Sequence, residues 1–202
     1  MTVSFIPEGY YEPEGVNYPN LNLSEQFTVY AASTSGPDYA DITSATVTID
    51  STTYSGQVTF PEYLNGSYYI YVKGQAIVAT WSASPVTFTP GVNSSYDFTT
   101  GIDKAYSIPG FPYQSMKQKG SKWCVYSGDV DQDELIGNVD LTMIDNDAFI
   151  IKEGTSVTDL DGDKLVGNVD LTICDNNAFS VIESQSPRKV GAMSAKYLHK
   201  PV

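Results

Sequence analysis

Residues 128–150 and 158–180 of this chain are two copies of one segment. The first reads GDVDQDELIGNVDLTMIDNDAFI and the second TDLDGDKLVGNVDLTICDNNAFS; the offset is 30 residues, and the string GNVDLT recurs unchanged. A duplication this close is a strong signal of a repeated unit. Each copy carries carboxylates at positions 1, 3, 5 and 12 of a short loop. They are Asp129, Asp131, Asp133 and Asp140 in the first, and Asp159, Asp161, Asp163 and Asp170 in the second.

This is the spacing of an EF-hand-like calcium loop. Alternate residues of a tightly wound loop point inward, so D-x-D-x-D sets three carboxylates on one side of an ion. Ca²⁺ is a hard cation that takes six to eight oxygens. The backbone carbonyl of position 7, Leu135 or Leu165, reaches the same point, and the position-12 Asp swings in from the first turn of a following helix. Position 9 is Gly137 or Gly167, which leaves that vertex to water. The apolar pairs Leu135-Ile136 and Leu165-Val166 are expected to join the two loops as a short ladder, with helices over 141–152 and 171–183. Residues 129–183 hold fourteen acids against Lys152 and Lys164, a net charge of −12 out of the chain's −13. Such crowding repels itself unless cations bind. Mg²⁺ suits the site less well, because it holds its waters and takes fewer protein ligands. Two Ca²⁺ ions are therefore expected, and no catalytic residue is read from the sequence.

The strings GDVDQDELIGNVDLTMIDNDAF and TDLDGDKLVGNVDLTICDNNAF, over about 121–184, resemble the dockerin family. That resemblance implies two calcium loop–helix units with Asp at loop position 12, and a non-catalytic plug that binds a cohesin-like socket on a scaffold or surface protein. Position 6, usually Gly in such loops, is Glu134 and Lys164 here. A non-Gly residue in left-handed backbone costs on the order of 1 kcal/mol. Where relatives place small hydroxyls and basic or apolar residues, this chain has Asn138, Val139, Asp145 and Asn146, then Asn168, Val169, Asp175 and Asn176. The resemblance would also bring the two ends of the module together, so Cys124 and Cys174 are either a disulfide or two separately buried thiols.

Upstream the composition changes. Residues 24–100 alternate apolar and polar, as in Gln26–Tyr30, Thr43–Ile49, Gln57–Phe60 and Ser67–Val72, with further candidates at Ile77–Trp81 and Tyr96–Thr100. Thr, Val, Tyr and Phe suit a pleated, half-buried surface. Asn65-Gly66 signals a tight turn between two strands. The expected fold is mainly β plus small α: an Ig-like β-sandwich over 24–100, resembling the immunoglobulin-like or prealbumin-like X modules that precede dockerins. Residues 1–23 read as an extended N-terminal arm whose piece Thr2–Ile6 can pair a sheet edge in its own chain or a neighbour's. Residues 101–120 read as a linker and 185–202 as a tail.

Several classes are disfavoured. The 202 residues carry 11 Lys and Arg against 24 Asp and Glu, which argues against nucleic acid and anionic membrane surfaces as partners. No run reaches the roughly 20 apolar residues of a spanning helix, and the first thirty residues lack the pattern of a signal peptide. His199 is the sole imidazole and lies in a short basic stretch with Lys196 and Lys200. Tyr10, Tyr11, Tyr18 and Trp81 are candidates for a sugar-binding platform, and Asn22, Asn65 and Asn93 head glycosylation acceptor tripeptides. The first expectation is a secreted or cell-surface assembly protein that docks to a cohesin-like partner. A filament built from copies of itself by strand exchange is the alternative, and a carbohydrate-binding module the second.

Overall fold

The structure is a computed structural model and describes residues 1–13, 26–36 and 38–190. Tyr18, the acceptor tripeptide at Asn22, and His199 with its neighbouring lysines lie outside those residues. Among the described residues the fold is mainly β, with three sheets and two short α-helices. A three-stranded sheet has the order β4 (Ser55–Gln57), β1 (Thr2–Ser4), β8 (Ser95–Asp97). A five-stranded sheet has the order β3 (Asp41–Thr48), β2 (Gln26–Ala32), β5 (Gly66–Gly74), β6 (Ile77–Trp81), and β7 (Val86–Phe88) pairs with the start of β5. A two-stranded ribbon joins β9 (Lys117–Lys119) to β10 (Lys122–Cys124).

Alternation explains the sandwich. Phe27, Val29 and Ala31 of β2 and Ile70 and Val72 of β5 pack inward against Val3, Phe5 and Phe98. Their neighbours Tyr30, Ala32, Tyr69 and Tyr71 face the other way, into a second cluster with Ala79 and Trp81. All five residues of β6 are buried, because this strand is covered on both faces. Arg188 closes the outer cluster. Its guanidinium lies 4.7 Å from the Trp81 ring and pairs with Asp41, while Tyr71 stacks on Tyr30 and Trp81 at 4.5 and 4.2 Å.

The N-terminal piece Thr2–Ser4 is the middle strand of its own chain's small sheet, antiparallel to β4 and parallel to β8, with Val3, Phe5 and Ile6 fully buried. Asn65-Gly66 does not close a hairpin. Gly66 takes left-handed backbone at φ +113°, but β4 pairs with β1 rather than β5, so the turn carries the chain from one sheet to the other. Within 101–120, Ala105, Ile108 and Met116 are buried and β9 begins, so this stretch packs on the body of the protein.

Helices α1 (Asn138–Phe149) and α2 (Asn168–Phe179) begin three residues earlier than the sequence suggests and also end earlier. The early start follows from Asp140 and Asp170, whose Oδ2 atoms accept from the N–H groups of Gly137 and Gly167 at 2.8 and 2.7 Å and cap the first turn. The early end follows from Ile151 and Val181, both at φ 52°. The next residue's N–H, from Lys152 or Ile182, bonds back to Asp147 or Asn177 in a Schellman closure. Ile136, Ile144, Val166, Cys174 and Ile182 form the core shared by the two copies, completed by Ala76 and Val78 from the sandwich. Among the described residues, no helix is long and apolar enough to cross a membrane.

Cys124 and Cys174 are free, separately buried thiols, so the disulfide reading is corrected. Burial pushes each up to about 12. The two belong to different packing environments: Cys174 lies in the loop–helix core, where its thiol contacts the Gly128 carbonyl, and Cys124 ends the β9–β10 ribbon.

Candidate metal centres

Each loop winds the same way. Asp140 Oδ1 accepts from Val130 and Asp131 N–H at 2.7 and 3.2 Å; Asp170 Oδ1 accepts from Leu160 and Asp161 N–H at 2.6 and 3.3 Å. These bonds fold the position-12 carboxylate back over the loop. As a result, Asp129, Asp131 and Asp140 each offer an oxygen within 4.8 Å of the others, and so do Asp159, Asp161 and Asp170. Either group could hold a metal ion.

Asp133 and Asp163 are not in those groups. Their Oδ1 atoms accept from the N–H of Leu135 and Leu165 at 2.9 and 2.7 Å, which turns them along the loop. Leu135 and Leu165 lie in short bridges with Glu183 and Glu153. The bridge bonds come from the flanking residues, Ile136 N–H to Ile182 O and Ser184 N–H to Glu134 O, and in the second copy Val166 to Lys152 and Gly154 to Lys164. The carbonyls of Leu135 and Leu165 therefore point away from the bridge. The two loops do not pair with each other, contrary to the sequence expectation. The segment leaving each helix occupies the edge of the opposite loop and satisfies the backbone groups there.

Glu134 and Lys164 keep left-handed backbone at φ 73° and 70°, so the loop turn survives without glycine at position 6. The copies differ in how their first carboxylate is met. Asp159 accepts from Gly162 and Lys164 N–H at 2.8 and 3.0 Å. Asp129 is fully buried and neither of its oxygens has a partner. Burial, then the nearby Asp140, push the Asp129 carboxyl up to about 7, against the opposing pull of Lys73. Asp161 rises to about 7 for the same first reason, burial, with Asp170 adding to it. Burial also raises Asp159 and Asp170. A buried carboxylate without a donor is costly, and a divalent cation at this point removes the cost. The donors are all hard oxygens, with no imidazole or thiolate among them, which fits Ca²⁺ or Mg²⁺ over a transition metal.

Sequence reasoning missed what surrounds the loops. The N-terminal turn Glu8–Tyr10 lies on loop 2: a Cβ on Gly9 would come within 1.9 Å of Leu160 O, and one on Gly162 within 2.4 Å of Tyr10. This cover leaves Asp161 only 2% exposed, whereas Asp131 is open to solvent. Loop 1 instead abuts the β5–β6 turn, where Gly128 and Asp129 N–H bond to Ala76 O and Lys73 Nζ donates to Gln132 O. No local pattern announces these contacts, which join residues far apart in the chain. Two of the four sugar-platform candidates are buried away from any sugar. Tyr10 and Trp81 are 3% and 1% exposed, and Trp81 is stacked beneath Arg188.

No known family profile matches the chain, and no curated protein matches it in sequence. Among solved structures, it is similar to a chain of a type II cohesin–X–dockerin complex from Acetivibrio cellulolyticus with a mutated C-terminal interface. The identity is 14% and the TM-score 0.46, over 87% of this chain and 92% of the other. The corresponding complex with a mutated N-terminal interface gives 16% and 0.47, over 88% and 94%.

Proposed function

We propose that this chain is a non-catalytic, calcium-stabilised extracellular protein that acts in assembly or attachment, docking its loop–helix pair into a cohesin-like socket on a surface or scaffold protein. The observation that carries this reading is the pair of Asp groups, and within it the buried Asp129 carboxylate with no partner of its own. Loop 1 would hold one Ca²⁺ through Asp129, Asp131, Asp133, Asp140 and the Leu135 carbonyl. Loop 2 would hold the other through Asp159, Asp161, Asp163, Asp170 and the Leu165 carbonyl. Bound calcium would neutralise the crowded carboxylates and fix the spacing of α1 and α2.

The helices supply the surface. Phe149 and Phe179 occupy the same position in the two copies and are 88% and 90% exposed, beside exposed Ile150, Ile151 and Val181. Each helix end thus carries exposed apolar side chains of the kind that mark a protein-binding face. The strand-exchange alternative has less support, because β1 already fills the sheet of its own chain.

The test is binding of the immobilised full-length chain to a panel of purified cohesins, in calcium and in chelator, with light scattering of the chain alone in parallel. Calcium-dependent capture of a cohesin by a monomeric chain supports docking. Polymers of the pure chain, or no capture under either condition, count against it.

A further inference from the structure

Glu8, Lys117 and Asn177 come from three distant parts of the chain and meet at the seam between the sandwich and the loop–helix pair. Glu8 is buried. Its Oε1 accepts from Lys117 Nζ, and its Oε2 accepts from Asn177 Nδ2 at 2.7 Å. Asn177 is also buried; its amide donates to Ser127 O at 2.8 Å, and its Oδ1 lies 3.5 Å from Lys117 Nζ. An amine, a primary amide and a carboxylate that touches both are the reactants and the acid–base group of an amide transfer. We propose that Lys117 and Asn177 form an intramolecular isopeptide bond, with Glu8 as the catalytic proton carrier.

The step balances without a co-reactant. The Lys117 ammonium gives one proton to Glu8 and becomes a neutral amine. Its lone pair attacks Asn177 Cγ, next to the oxygen it already approaches, and the Nζ–Cγ bond forms. Glu8 passes its proton to Nδ2 and takes the proton that the attacking nitrogen sheds. The Cγ–Nδ2 bond breaks and ammonia leaves, collecting that last proton from Glu8. In sum, one ammonium and one carboxamide become one amide and one ammonium ion, and Glu8 is regenerated. An open groove of about 440 Å³, lined in part by Tyr113, Lys117, Tyr126, Asn177 and Phe179, gives the ammonia a way out.

A structural anchor alone would not require the amide. The matching residue of the first copy is Asp147, whose Oδ2 accepts from Lys152 Nζ at 2.8 Å and from Thr158 Oγ1 at 2.6 Å. That ion pair ties down the same helix turn with a carboxylate and has no ammonia to lose. Only the second copy combines an amide, a lysine from β9 and a buried glutamate from the N-terminus. The bond would fasten β9 to α2 and make the seam covalent.

Intact-mass measurement of the full-length protein in calcium tests this directly. The expected mass is one ammonia below that of the sequence, with proteolysis releasing a branched peptide that joins Lys117 to Asn177. Lys117→Arg and Glu8→Gln should each restore the full mass, with circular dichroism reporting whether each variant is folded. Wild-type protein that is folded and has the full sequence mass overturns the proposal, whatever the variants do. So does a deficit that survives Lys117→Arg, as ring closure at Asn65-Gly66 would produce.

Discussion

Protons and calcium should compete for the buried loop carboxylates, with opposite effects on the metal-free and metal-loaded protein. Asp129 and Asp161 are pushed up to about 7 from an ordinary value of 3.8. A carboxyl raised on folding contributes stability that is fully present below its unfolded value and lost as pH rises through its folded value. In chelator, stability should therefore fall as pH rises from about 4 to about 7.5. Asp50 and Asp147 are held below the ordinary value by hydrogen bonds, from Thr53 in the first case and Lys152 in the second. Their contribution is lost only below about pH 4, outside this window. In calcium the slope reverses, because the ion binds only the ionised oxygens. At about pH 5 the solution is roughly two units below the folded values of Asp129 and Asp161. At about 1.4 kcal/mol per unit, that weakens calcium binding by roughly 100-fold for each such group. Both residues are almost wholly buried, so solvent screening takes little from this figure. The assay is thermal unfolding between about pH 4.5 and 7.5 in calcium and in chelator, with calcium titrations at both ends. Metal-free protein that is more stable at pH 7.5 than at pH 5, or calcium affinity that does not change with pH, would refute the reasoning.

Gly9→Ala should destabilise the protein by roughly 2–4 kcal/mol, the range of a severe overpacking or backbone clash, because the new methyl meets Leu160 O at 1.9 Å. Chemical denaturation with calcium measures it, and the affinity of loop 2 should fall more than that of loop 1. Phe149→Ser with Phe179→Ser should leave the melting temperature almost unchanged, since both rings are exposed, yet abolish capture of a cohesin in a binding assay. Arg188→Ala should cost roughly 1–2 kcal/mol by removing a cation stacked on Trp81 and paired with Asp41. Near-ultraviolet circular dichroism should then show a change in the tryptophan environment.

What was legible in the sequence was local and periodic. The carboxylates at loop positions 1, 3, 5 and 12 and the alternation around Phe27, Val29, Ile70 and Val72 need no knowledge of the rest of the chain. The helices were legible as elements, but their bounds depended on Asp140 and Asp170 acting as caps and on Ile151 and Val181 accepting left-handed backbone, which β-branched residues rarely do. Pairings between distant segments were not legible. Nothing in Thr2–Ser4 says that β4 and β8 flank it, and Leu135 gives no sign that Glu183 rather than Leu165 lies across from it. The site's surroundings were hidden for the same reason. Glu8 is 109 residues from Lys117 and 169 from Asn177, and only the folded seam brings them together.

Calorimetric titration of the chelated full-length protein with calcium tests the metal assignment most directly. The expected result is two sites in the wild type and none in the combined variant Asp129→Ala, Asp159→Ala, while the sandwich, with its core of Phe5, Phe27 and Ile70, stays folded. No calcium binding in the wild type, saturation by magnesium alone, or two undiminished sites in the double variant would contradict it.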